Sequence, residues 1–292
     1  MNPSSTRKRM KTPICLLVDN GSLRPEAILN LRNIAQQLGA DCSHEVIPVG
    51  LLHSNKIDKS MLNGVRGETL GTFLSSKKGQ DELSLLILPF FLGPSLGVTD
   101  YLVKKLEIWK KERVGRSFKV LSCIHSYDDT KLADALISET NRVIKNEGID
   151  SPHIAMVDHG TPIIEVNMVR EDVGKSLEKM IGTKASGFAT CSMERRKGDE
   201  YDFNEPLIEA VLDDWGNSGV REIVVSLLFL LAGRHAGKGG DLDNIFNKAK
   251  SKFHGMRITP TRPLGQNPLI YELLKDKLLE FYGSKHPLLL DS

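Results

Sequence analysis

The chain repeats itself once. The apolar run 14–18 leads into Asp19, Asn20, Gly21 and Ser22, and the run 154–157 leads into Asp158, His159, Gly160 and Thr161, 139 residues on. A second pair matches Leu83–Leu92, followed by Gly93–Gly97, with Arg221–Leu230, followed by Leu231–His235, at a spacing of 138. Lys119–Leu121 and Arg257–Thr259 recur at the same spacing of 138. Self-similarity at one offset marks a duplicated unit. The junction falls near residue 150, where Gly148–Pro152 supplies turn chemistry. The expected organisation is a disordered basic tail over 1–12 carrying Arg7, Lys8, Arg9 and Lys11, one half over 13–150 and a second over 151–283.

The runs 14–18, 84–92, 154–157 and 222–231 are continuously apolar, as strands covered on both faces should be. Helical patterns separate them over 25–38, 101–111, 131–146, 165–180, 205–215, 242–252 and 268–281. Alternation of this kind predicts an α/β fold of two tandem domains, each a parallel sheet flanked by helices. Ligands in such sheets bind at the carboxyl ends of the strands, so the loops after those four runs are where chemistry belongs.

With 292 residues and a net charge of +2, the chain has neither the field of a nucleic-acid binder nor that of a membrane-surface protein. Its longest apolar stretch, Ile223–Ala232, is too short to span a bilayer. The cysteines at 15, 42, 123 and 191 form no C-x-x-C pair and read as buried thiols of a reducing, cytoplasmic setting. Gly233–Gly239 lacks the glycine spacing and the Ser/Thr of a phosphate loop, and neither a dinucleotide fingerprint nor a nucleophile elbow is present.

His159 and His235 both follow strands of the second half. Two neutral imidazoles facing one cleft can bind cobalt, iron, nickel or zinc and can accept protons. Glu194, after the strand-like run 187–192, adds a carboxylate for metal or proton handling. Arg195, Arg196, Lys197, Arg234 and Lys238 cluster in the same loops and suit a ligand rich in carboxylates.

These residues resemble the sirohydrochlorin chelatases, the class II tetrapyrrole chelatases of siroheme and cobalamin synthesis. The family's H-G-[ST] after an apolar strand is similar to His159-Gly160-Thr161, its F-L-x-x-G-x-H to Phe229–His235, its strand-end Glu to Glu194, and its P-L-G before a helix to Pro263-Leu264-Gly265. The first half resembles the same template at Leu16–Ser22 and Pro89–Pro94, but Asn20 and Gly97 stand where the histidines would be, with His53 or Ser54 near the Glu position. The resemblance implies a lyase that inserts a divalent metal, cobalt in preference or iron, into a sirohydrochlorin-type tetrapyrrole, with the metal as substrate and no organic cofactor. It assigns His159, His235 and Glu194 to metal and catalysis, and Arg195, Arg196, Arg234 and Lys238 to substrate carboxylates, in a monomer of pseudo-dimeric halves. The competing expectations are a non-catalytic tetrapyrrole or metal carrier derived from a chelatase, and an unrelated flavodoxin-like enzyme.

Overall fold

The computed structural model describes residues 12–283. The expected basic tail, but for its last residue, lies outside the described residues. The first half opens with β1 (Ile14–Asp19), α1 (Pro25–Cys42) and β2 (Val46–Gly50). Two short helices follow, α2 (Leu70–Ser75) and α3 (Lys77–Asp81), then β3 (Ser84–Pro89). A π-helical turn over Gly97–Leu102 runs into α4 (Val103–Lys111), followed by β4 (Ser117–Val120) and α5 (Lys131–Glu147). The second half runs β5 (His153–Asp158), α6 (Ile164–Ile181), β6 (Gly187–Ser192), α7 (Ile208–Asn217), β7 (Glu222–Leu227), α8 (Asp241–Lys252), β8 (Arg257–Pro260) and α9 (Pro268–Gly283).

All pairings are parallel, in two four-stranded sheets ordered β2-β1-β3-β4 and β6-β5-β7-β8. The same strand order twice over is the duplication in three dimensions, and the α/β fold class holds. The strands end earlier than the apolar runs suggest: β3 stops at Pro89 and β7 at Leu227. The apolar residues beyond them turn away as loops over the site.

Successive strand residues point to opposite faces, and each face has its own core. Leu16, Val18, Leu85 and Ile87 pack outward against α2 and α4 with Phe73 and Trp109. Val157, Cys191, Val225 and Leu227 pack outward against α7 and α8 with Leu212 and Phe246. The inner faces share one core: Cys15, Leu17, Leu86 and Leu88 of the first sheet and Ile154, Met156 and Val224 of the second meet residues of α1, α5, α6 and α9. The layers therefore run helix, sheet, helix, sheet, helix.

The middle layer crosses the sequence boundary. α5, which ends the first half, packs on β7 and α6 of the second, and α9 packs on α1 and α5. Polar contacts pin the exchange. Glu139 of α5, 3% exposed, accepts from Arg262 Nη2 at 2.8 Å and from Arg142 Nη2 at 2.8 Å. Asn267 Nδ2 donates to Ser138 Oγ at 2.9 Å, and Thr140 and Ser226 share a buried hydroxyl contact of 2.9 Å. Burial works against ionising Glu139, but the hydrogen bonds from Arg262 and Arg142 outweigh it and hold its carboxyl below the ordinary range. A depressed folded-state value stabilises the fold above the ordinary carboxylate range and loses that contribution as pH falls through the folded value. Glu139→Gln should therefore lower the unfolding free energy at pH 7 by about 1–3 kcal/mol. The gap to wild type should close in acid, as read from denaturant midpoints at pH 7 and pH 3.

Candidate metal-handling site

β5 ends at Asp158, and the loop after it must turn beside the end of β6. Glu194 N donates to His159 O at 3.2 Å, which brings Gly160 against the carbonyl of Glu194. Gly160 has φ +87°, and a Cβ there would lie 1.8 Å from that oxygen. Only glycine fits, so His159 and Glu194 are held side by side by backbone geometry.

Beneath them lies a buried chain of polar groups. Asp158 Oδ1 accepts from Ser192 Oγ at 2.6 Å and from Gly160 N at 3.1 Å. Arg170 of α6, 2% exposed, donates to Ser192 Oγ at 2.5 Å and to the carbonyls of Asn204 at 2.8 Å and Phe203 at 3.0 Å. Burial raises the Asp158 carboxyl above its ordinary value, against the lowering influence of Ser192 and Arg170. The sequence analysis missed Arg170, although it stands on the apolar face of its helix with Val169, Val173 and Leu177.

The rings of His159 and His235 meet edge to face, with centroids 4.3 Å apart and planes at 76°. His159 Nε2 is 3.5 Å from Glu194 Oε1, with the two side chains 45% and 59% exposed. The three residues nominated from sequence thus form one cluster open to solvent. Each imidazole is occupied on its Nδ1 side: His159 Nδ1 lies 3.0 Å from the carbonyl oxygen of Gly160, and His235 Nδ1 lies 2.7 Å from Asp241 Oδ2. Both partners only accept, so the neutral form of each ring carries its hydrogen on Nδ1 and turns Nε2 away from that partner, that of His159 toward Glu194. Among the described residues no group of three or more His, Cys, Asp or Glu is placed so that it could hold a metal ion, so the pair of imidazoles is the feature to be explained.

The nominated cations divide. Arg195 is committed to its own loop, with Nε 2.7 Å from Glu205 Oε1 and Nη1 2.7 Å from Asp202 Oδ1. Arg196 lies over the Tyr201 ring at 5.9 Å. Arg234 is 82% exposed, and Lys197 and Lys238 are exposed.

The first half preserves the frame and changes the side chains. Leu51 N to Asp19 O and Leu52 N to Asn20 O repeat the contacts Met193 N to Asp158 O and Glu194 N to His159 O. The counterpart of Glu194 is therefore Leu52, 41% exposed, and not His53 or Ser54. Residues 90–96 join β3 to the turn at Gly97, whereas the longer loop 228–240 joins β7 to α8, so His235 has no position-for-position counterpart.

Leu31 stands at the Arg170 position, and Arg32, one residue on, donates to the carbonyls of Leu62, Val65 and Arg66 instead. That shift leaves a cavity of about 190 Å³ lined by Asp19, Leu31, Arg32, Gly50 and Ser54 among others. Asp19, 5% exposed, accepts from Gly21 N at 2.9 Å, and burial pushes its carboxyl up to about 7. A raised folded-state value favours the neutral acid, so the fold loses stability as pH rises from the ordinary carboxylate value to the folded one. Asp19→Asn should therefore be more stable than wild type at pH 8, by up to about 4 kcal/mol, and close to it at pH 4. Paired thermal melts read the difference.

Residues 153–281 match the CbiX family model. The chloroplastic sirohydrochlorin ferrochelatase of Arabidopsis thaliana is 26% identical over 140 residues, which is 48% of this chain and 57% of that protein. The chain thus spans little more than half the length of that curated relative. SirB from Bacillus subtilis, solved with Fe3+, superposes with a TM-score of 0.68 at 12% identity, covering 94% of this chain and 98% of SirB. SirB from B. subtilis subspecies spizizenii in complex with cobalt gives 0.67 at 12% identity, over 94% and 97% of the two chains. CbiX from denitrifying bacteria gives 0.61 at 12% identity, over 94% and 100%.

Fold and site together define a two-sheet α/β protein of the chelatase type. Its carboxyl-terminal half, which carries the histidine pair, matches the CbiX model and is similar in sequence to a sirohydrochlorin ferrochelatase.

Proposed function

We propose that the chain inserts a divalent metal, cobalt or iron, into sirohydrochlorin, using His159, His235 and Glu194 of the half 151–283. The half 13–150 then serves as scaffold and opposing wall. The observation that carries this reading is the approach of two imidazoles, one just after β5 and one in the loop between β7 and α8, 4.3 Å between ring centroids, with a carboxylate beside them.

Metal entry into a tetrapyrrole releases two pyrrole protons for each divalent ion taken up. A working site must hold the ion loosely, leave coordination positions open for the macrocycle and accept those protons. Two imidazoles supply nitrogen ligands of the right softness for cobalt or iron, and imidazole and carboxylate are both proton acceptors near neutral pH. The exposed Arg196, Arg234 and Lys238 suit the peripheral carboxylates of the substrate. Arg195, held by Asp202 and Glu205, stiffens the loop that carries Arg196. The name of the curated relative, a ferrochelatase, moves the metal preference from cobalt toward iron.

The core shared between halves supports a monomer, and among the described residues no helix is long and apolar enough to cross a membrane. The four free cysteines suit a reducing compartment; cytoplasm is the reading made from sequence, and the chloroplastic relative adds the plastid as a second such compartment.

Turnover is measured by mixing the protein with sirohydrochlorin and cobalt(II), or iron(II) without oxygen, and following the absorbance spectrum. Multiple turnovers are expected with at least one metal. His159→Ala and His235→Ala should each cut the rate by about 10²-fold or more with unchanged melting temperature. Near-normal turnover in either variant, or binding of the tetrapyrrole without turnover, overturns the reading; the second outcome describes a carrier.

A further inference from the structure

We infer that Asp241 is a positioning residue for metal capture: it holds His235 in the tautomer and direction that present Nε2 to the incoming ion. The inference rests on the site reading given above and deepens it.

The two histidines reach the same presentation by different means. His159 leans on a backbone carbonyl next to it in sequence, that of Gly160. His235 leans on a side chain six residues away, at 2.7 Å from Asp241 Oδ2. A carboxylate can only accept from a ring nitrogen, so it selects the form with hydrogen on Nδ1 and the lone pair on Nε2. The rest of the loop is built to deliver that carboxylate. Asp241 is the first residue of α8, where free backbone N–H groups favour a negative charge. From the same end, Leu242 N donates to His235 O at 3.2 Å, so the helix start grips residue 235 by both its ring and its backbone. Gly240 just before it has no room for a side chain: a Cβ would lie 2.5–2.7 Å from the carbonyl oxygens of Arg234, His235 and Gly237. The loop closes on that glycine and brings residue 241 back beneath the ring of residue 235.

Asp241 Oδ2 is also 3.8 Å from Arg234 Nε, beyond hydrogen-bond distance of that exposed side chain. Asp243, on the same helix turn, accepts from Gly239 N at 2.6 Å and touches neither His235 nor Arg234. It provides a control with equal charge at the same helix end.

The test compares Asp241→Ala, Asp241→Glu and Asp243→Ala with wild type in three measurements: melting temperature, cobalt(II) affinity in the absence of any tetrapyrrole, and the histidine tautomer by 15N NMR of the metal-free protein. His235 should show the Nδ1–H form in wild type and in Asp243→Ala. Asp241→Ala should lose that preference and weaken cobalt binding by about 10–100-fold, and Asp241→Glu should recover part of it. If Asp241→Ala keeps both the tautomer and the affinity, or if Asp243→Ala loses as much, the inference is overturned. Because none of the three measurements uses sirohydrochlorin, a failure of the chelatase reading would appear separately, as absent turnover with intact cobalt binding.

Discussion

Both sheets bury their inner faces on one layer of helices, and the rest of the molecule depends on that shared burial. α5 belongs to the first half in sequence but covers β7, and α9 returns the exchange on α1. Burial of apolar area is the dominant favourable contribution to such packing, and here it is contributed jointly, by Cys15, Leu17, Leu86 and Leu88 on one side and Ile154, Met156 and Val224 on the other. Neither sheet can shed its partner without exposing a face. The strand ends from which the loops of His159 and His235 start are therefore fixed by contacts far from them.

On this frame the two halves keep the strand order and the loop contacts while their side chains differ. The backbone contacts that set Glu194 beside His159 recur at Leu52 and Asn20, so the frame is shared while the side chains on it differ. One change lies deeper. Arg170 supports the second site from below through Ser192; in the first half Leu31 and Gly50 occupy those two places, leaving a cavity and a buried acid in Asp19.

Much of this was legible in the sequence. The repeat showed because buried parallel strands are continuous apolar runs, and the histidines because they follow such runs directly. Three features stayed hidden for physical reasons. β2 reads poorly because only Val49 and Gly50 are buried, as befits an edge strand. The helix exchange leaves no local pattern, since an amphipathic helix covers any sheet equally well. The roles of Asp241 and Arg195 depend on loop closure: Arg195 looked like a free cation until Asp202 and Glu205 folded against it. Asp241 had only its place at a helix start to mark it.

The central claim is that His159 and His235 hold one metal ion through their Nε2 atoms. X-ray absorption spectroscopy on the stoichiometric cobalt(II) complex tests it without any assumption about turnover. The account predicts two imidazole nitrogens in the first shell at about 2.0–2.1 Å, the range of such metal–nitrogen bonds, with the scattering of one ring lost in a protein lacking either histidine. A shell of oxygen alone, or one unchanged by removing either ring, would contradict it.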